Sequence, residues 1–306
     1  MQFFCVAQKM FSLATSKHTG GWFAAPALTG LVLFVALPFI LAVALSFTNM
    51  RLGSPLPTRF VGLEQFTRTF SDPIFLRALI NNVLFTAVAV PLQTAGALGL
   101  ALLLDRTLRG QVIFRTVFFM PVVFPLSLVS VVWILILAPG PQGLLNNLLE
   151  MLSFGLWTPR DFLRDTTLAL PAIMLTSLWQ GIGFQMIIML AGLQAIPSSL
   201  YDAAAVDGAK PWQLFFSITL PQLRNTIIFV VLATTILAFR LFDQVQIMTQ
   251  GGPDNATTTL MYEAVQTAFE RQQVARGSAM TVVLFVLVLA ITWLLRIITG
   301  KNGRAR

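Results

Sequence analysis

The polar stretch Asp202–Pro221, DAAAVDGAKPWQLFFSITLP, lies between two long apolar runs. It is too polar to be solvated by hydrocarbon and too regularly patterned for a mere linker. Just upstream, Pro197 is followed by Ser199 and, three residues on, Asp202. A hydroxyl and a carboxylate at that spacing satisfy free backbone donors at a helix start, so a short helix is expected there. Ala203, Ala204 and Ala205 keep one surface of it small. Gly208 suits the left-handed turn that ends a helix, and Pro211 the first turn of a second one. Leu214, Phe215 and Ile218 recur at helical spacing, and Pro221 closes the unit before the next apolar run. The expected object is a helix-turn-helix knuckle standing out of a membrane.

Composition supplies the membrane. Of 306 residues, 56% are hydrophobic and 10% charged, against about 25% charged in a soluble domain. A bilayer core needs roughly 20 apolar residues per helix. Uncharged runs long enough extend over 19–50, 78–104, 116–149, 166–201 and 277–295; a further run, 225–252, is interrupted only by Arg240 and Asp243. Six spanning helices are therefore expected, at 22–47, 80–104, 116–137, 168–193, 225–248 and 277–299. The fold class is all-α integral membrane, because nothing alternates as the strands of a membrane barrel would. Residues 1–21 and 300–306 are expected as tails flanking a membrane domain 22–299, whose polar loop is 197–223. The first apolar run is too long for a signal-peptide core, so an uncleaved first helix is expected. The lone Cys5 excludes an intramolecular disulfide and builds no metal site by itself.

Six helices put both termini on one side. If that side is cytoplasmic, its segments hold eleven Lys and Arg against eight on the other, and the tail after Leu295 is basic. That bias supports cytoplasmic termini and a cytoplasmic knuckle. Nucleic acid is excluded as a partner, since no soluble face gathers basic and aromatic residues.

Several polar residues sit inside or beside the spans. Asn81, Asn82 and Gln93 on the second suit hydrogen bonds between helices. Pro121 and Pro125 suggest a bend in the third. The outer loop around 59–66 has enough aromatics to pack on itself or on a partner, and 138–167 reads as an outer-face cap. On the fourth, Trp179-Gln180-Gly181-Ile182-Gly183-Phe184-Gln185 has two readings: glycines for close helix packing, or Trp179, Gln180, Phe184 and Gln185 lining a polar cavity. On the fifth, Arg240 and Asp243 lie one turn apart on a common face. A charge at mid-membrane costs roughly 2.5–3.5 kcal/mol on insertion scales, so they are expected to face each other, a cavity or the interface. Asp243 is the one acid expected to be well buried. Gln250-Gly251-Gly252-Pro253 marks an abrupt outer turn, and the sixth helix reads as packing.

Asp202-Ala203-Ala204, then Gly208, then Ile218-x-Leu220-Pro221 resembles the E-A-A-x(3)-G-x(9)-I-x-L-P signature of permease subunits in binding-protein-dependent ABC importers. The inner Asp207-Gly208-Ala209 agrees as well, while Asp202 stands where the family usually has Glu. The loop's place between the fourth and fifth helices, and Gly251-Gly252-Pro253 after the fifth, resemble the maltose and glycerol-3-phosphate type of carbohydrate permease.

The resemblance implies a six-helix permease fold in a bacterial inner membrane. It implies that the knuckle is a coupling helix seated in a cytoplasmic ATPase, with Phe215 and Ile218 anchoring it to the bundle. The implied partners are two such ATPases, a second and homologous permease chain, an extracytoplasmic solute-binding protein and membrane lipid. ATP and Mg would be bound by the ATPases, with no cofactor in this chain. The sequence agrees in having no glycine-rich phosphate loop. Three rivals are weighed. An ion-coupled transporter would show internal repeats and buried acids; a membrane enzyme would need a constellation of His, Cys or carboxylates; an ABC permease for an amino acid, peptide or phosphate would carry a related signature.

Overall fold

In the computed structural model of the chain, which describes residues 17–105, 110–140 and 143–300, the uncharged runs become helices. Helix α1 runs from Lys17–Leu31 through a π-helical turn, Val32–Ala36, into Leu37–Ser46. A short α2, Glu64–Phe70, precedes α3, Pro73–Leu104. Then come α4, Gln111–Val123, α5, Leu126–Ile136, α6, Leu144–Leu152, and α7, Ala169–Gln194. The knuckle is α8, Ser198–Val206, and α9, Pro211–Leu214, the latter prolonged by a π-helical turn, Phe215–Thr219, and Leu220–Gln222. The chain closes with α10, Arg224–Phe239, α11, Asp243–Met248, α12, Leu260–Val265, and α13, Val274–Gly300.

Four helices are long and apolar enough to cross a bilayer alone: Ala24–Ser46, Pro73–Leu104, Ala169–Gln194 and Val274–Ile297. Two bent pairs, Gln111–Val123 with Leu126–Ile136 and Pro211–Gln222 with Arg224–Phe239, bring the total to at most six when each counts as one span. The third span, expected as 116–137, starts at Gln111 and breaks between Val123 and Leu126 with a bend of 101°. Pro125 causes the break, because its ring pushes the preceding Phe124 out of helical backbone to ψ 140°. The fifth span, expected as one helix over 225–248, ends at Phe239 and resumes at Asp243. Proline also explains two π-helical turns. Each ends two residues before a proline, Pro38 or Pro221, where a widened turn eases the ring past the backbone behind it. The second span begins earlier than expected, at Pro73, because Asp72 caps it: its carboxylate accepts the Ile74 N–H at 2.9 Å.

Small residues set the closest approaches. Helices α3 and α7 pack along Ala97, Ala101, Met186 and Met189, all fully buried. A methyl group on Gly183 would lie 1.9 Å from the Phe118 carbonyl oxygen of α4. One on Gly181 would meet the Gln93 amide. The packing reading of these glycines is therefore correct. The expected bonding between helices holds for Asn82 and for Gln93, which donates to the Ser177 carbonyl of α7 at 3.0 Å, while Asn81 bonds the loop before α12 instead. The Asn81 amide donates to the Asn255 and Thr258 carbonyls, both at 2.9 Å, and Asn82 donates to the Ala238 carbonyl at 3.1 Å.

At the end of the bundle opposite the knuckle, ion pairs tie helices together. Asp72, before α3, pairs with Arg276 of α13, and Arg271 pairs with Glu263 of α12 at 2.5 Å. Glu263, 1% exposed, is the buried acid; Asp243, expected in that role, is exposed. The aromatic loop after α1 packs on itself, with Phe47 stacked on Phe60 and tilted against Phe66.

Candidate functional site

Two places concentrate polar groups: the knuckle and a cavity in the bundle. The knuckle begins with Pro197, whose φ of −60° and extended ψ of 129° launch α8 at Ser198. The expected pairing of Ser199 with Asp202 does not form, because a start at Ser198 places both residues inside the helix. Asp202 and Asp207 are exposed and make no ion pair among the described residues. Ala203 is exposed and Ala204 half-buried.

The helix ends as expected. Gly208 takes φ +70°, the Ala209 N–H returns to the Ala204 carbonyl at 3.0 Å, and the Gly208 N–H to Ala205 at 3.1 Å. Lys210 is extended, Pro211 opens α9, and the Gln213 side chain accepts the Lys210 N–H at 2.7 Å. Phe215, Ile218 and Leu220 are half-buried, Pro221 is exposed, and the chain bends by 63° into α10 at the fully buried Leu223. One contact was not foreseen: the Tyr201 hydroxyl lies 3.0 Å from the Thr219 hydroxyl and joins the two halves of the knuckle. Each residue lies one or two positions from a motif residue, but nothing in the local pattern pairs them.

The cavity, of about 400 Å³, opens among α3, α4, α5, α7, α10 and α11. Five of the six expected pathway residues line it: Gln180, Phe184, Gln185, Arg240 and Asp243. Trp179 does not; it sits edge-on against Trp133, ring centroids 5.9 Å apart. Arg240 and Asp243 do not share a helical face as expected. They flank the break, Arg240 as the C-cap of α10 and Asp243 as the first residue of α11. A cation at a helix C-terminus and an anion at an N-terminus are each stabilised by the backbone dipoles there. No salt bridge joins the two among the described residues.

Buried amides complete the lining. Gln185, 4% exposed, donates to the Thr234 hydroxyl at 2.8 Å and leaves its carbonyl oxygen unbonded. Gln244, 1% exposed, accepts from the Ser177 hydroxyl at 2.5 Å and leaves its amide nitrogen unbonded. A buried polar atom without a partner costs about 1–3 kcal/mol. Both atoms lie beneath the cavity surface, out of contact with solvent, so they become partners for a hydroxyl-bearing solute or water only when the amides turn outward. Gln244 was missed in the sequence because 225–248 read as continuous helix, where its neighbours Arg240 and Asp243 drew attention instead.

Residues 75–302 match the model of a family described as a binding-protein-dependent transport system inner membrane component. The chain is 35% identical over 284 residues to the probable ABC transporter permease protein YurN of Bacillus subtilis, covering 92% of this chain and 96% of that one. It is 37% identical over 281 residues to the sulfoquinovosyl glycerol transport system permease protein SmoG of Agrobacterium fabrum, covering 91% and 89%. Among solved structures, a chain of a bacterial ABC transporter involved in the import of the acidic polysaccharide alginate superposes with a TM-score of 0.81 at 19% identity, covering 97% of this chain and 100% of that one. That last likeness is one of fold.

Proposed function

The chain belongs to the family of inner-membrane components of binding-protein-dependent transport systems, and from that membership we propose that it forms half of an ATP-driven import pathway for a sugar or sugar-like solute, glycerol phosphate included. As a family member it is a multi-pass transport subunit and not an enzyme. In this reading a second, homologous permease chain supplies the other half, and an extracytoplasmic binding protein delivers the solute. Two cytoplasmic ATPase subunits bind ATP and Mg. Both termini and the knuckle face the cytoplasm.

The observation that carries the reading is the knuckle: an exposed, internally braced helix-turn-helix, with the signature residues Asp202, Ala203, Ala204, Gly208, Ile218, Leu220 and Pro221, joining α7 directly to α10. Asp202, Asp207 and Gly208 are exposed, free to meet an ATPase cleft, while Phe215 and Ile218 face partly inward. The carbohydrate assignment is supported by the relatives' names and by the amide side chains of Gln180, Gln185 and Gln244 in the cavity lining. Sugar hydroxyls both donate and accept, as amides do, which suits them to such a lining.

Reconstitution of the chain with the products of its neighbouring genes tests the proposal. Uptake is expected to require ATP and the soluble binding protein together. Uptake driven by a proton or sodium gradient alone would refute it. Uptake of amino acids or phosphate in place of sugars would remove the carbohydrate assignment and keep the importer.

A further inference from the structure

Helix α6 is amphipathic: its six apolar residues lie on one contiguous arc, with Asn146, Asn147 and Glu150 on the other side. Leu145 and Leu149, at one edge of that arc, pack onto the core, while Leu144, Leu148, Met151 and Leu152 are exposed along the rest of it at spacings of four, seven and eight residues, one continuous stripe of a helix. An amphipathic helix whose apolar arc is only partly covered by its own protein needs an apolar environment for the remainder. The chain then thrusts Phe154 outward, 96% exposed, at φ +54°, a backbone conformation that a bulky residue rarely adopts. Leu156 follows, exposed as well.

The height of this helix is fixed by its attachments. Seven residues separate Ile136 from Leu144, a reach of at most roughly 25 Å, and the helix is held much closer than that. The buried Asn146 donates to the Ala138 carbonyl at 3.1 Å, two residues past the end of α5, and to the Arg160 carbonyl at 2.9 Å. It also accepts from the Trp157 indole at 3.1 Å and the Arg160 N–H at 3.0 Å. Gly143 approaches so closely that a methyl group there would lie 2.0 Å from the Ala138 oxygen. Thus α6 is stapled to the end of a membrane-embedded helix and cannot rise into water. Helix α5 exposes apolar residues as well, Leu128, Val131 and Leu135. Trp157 has Arg160 at 5.6 Å over its ring, and its indole bonds the staple itself. An amphipathic aromatic of this kind belongs at the level of lipid headgroups.

We propose that α6 is an in-plane helix, its outward stripe and Phe154 sunk into the acyl region of the bilayer leaflet on the side opposite the knuckle. The partner is lipid, and the proposal holds for whatever solute the cavity carries.

The test uses the assembled transporter in vesicles. In a Cys5→Ser background, Leu148→Cys, Met151→Cys and Phe154→Cys would each carry an environment-sensitive fluorophore, with Arg160→Cys as the rim control. Quenchers attached to lipid acyl chains are expected to quench the first three at least threefold more than the control, and aqueous iodide to quench them less. Preferential quenching by iodide would overturn the proposal, as would shielding from both quenchers, which would mean a protein covers the stripe. Because labelled variants could assemble poorly, photoactivatable acyl-chain lipids would also be cross-linked to the unaltered protein. Adducts on residues 144–156 are expected; labelled spans without adducts there would refute the assignment.

Discussion

Gly181 and Gly183 lie two residues apart on α7 and meet different obstacles. A methyl group on Gly181 strikes the end of the Gln93 side chain, which can swing aside at the loss of its 3.0 Å bond to the Ser177 carbonyl. On Gly183 it strikes the backbone of α4, which cannot move without separating two helices. Overpacking costs about 1–3 kcal/mol, so Gly183→Ala is expected to lower the detergent-solubilised protein's melting temperature clearly more than Gly181→Ala. Equal melting temperatures would show that α4 yields freely. Gln244 belongs to the same scale. Truncating it removes an amide from the cavity lining and frees the Ser177 hydroxyl. Gln244→Ala is expected to raise the solute concentration for half-maximal uptake about five- to thirty-fold, in line with about 1–2 kcal/mol for one hydrogen bond. Gln180→Ala is expected to do the same more mildly, with assembly unchanged in both, and unaltered uptake kinetics would remove them from the pathway.

Among the elements, the knuckle was the most legible in sequence. Its short helix, left-handed glycine and proline-led second helix all depend on neighbours within a few residues, which a sequence displays directly. The exception is the Ser199 and Asp202 cap, displaced because Pro197 starts the helix one residue early. The break at 240–242 was not legible, because it contains neither proline nor glycine and its cause is remote. Asn82 takes the Ala238 carbonyl and Thr259 takes the Leu241 carbonyl at 2.7 Å, so groups that would continue the helix are bonded elsewhere. Gly208 is where the knuckle is open to test. No atom lies within 4 Å of a methyl group built there, so a substitution meets only its own backbone at φ +70°. That conformation costs an L-residue about 1–2 kcal/mol, more when β-branched. Gly208→Val should therefore leave the complex assembled but sever solute-stimulated ATP hydrolysis from uptake. Tyr201→Phe, which removes only the bond to Thr219, is expected to reduce uptake per ATP by less. Wild-type coupling in the valine variant would mean that the turn's geometry is not read by the ATPase.

For the whole molecule, the connectivity decides how force travels. Helix α7 carries Gln180 and Gln185, α10 carries Thr234, and both run straight into the knuckle, so a displaced knuckle moves two walls of the cavity together. At the opposite end, Asp72 and Arg276 hold α3 to α13, and the Ala275 N–H bonds the Met50 carbonyl at 3.1 Å, anchoring the loop after α1 to the same body. The tie between α3 and α13 lies far from the knuckle, while α3 also packs along α7, so a displaced knuckle would act on the rest of the bundle through that shared contact. The link from α7 to α8 is only 195–197, and its stiffness rests on Pro197. That residue is exposed, so replacing it removes little packing and mainly adds backbone freedom. Pro197→Gly is accordingly expected to keep thermal stability within about 1 kcal/mol of the parent and to leave ATPase docking intact, while uptake per ATP hydrolysed falls several-fold. A loss of docking together with uptake would instead place Pro197 in the ATPase contact. Full coupling despite a flexible link would show that force enters the bundle through α9 and α10 alone.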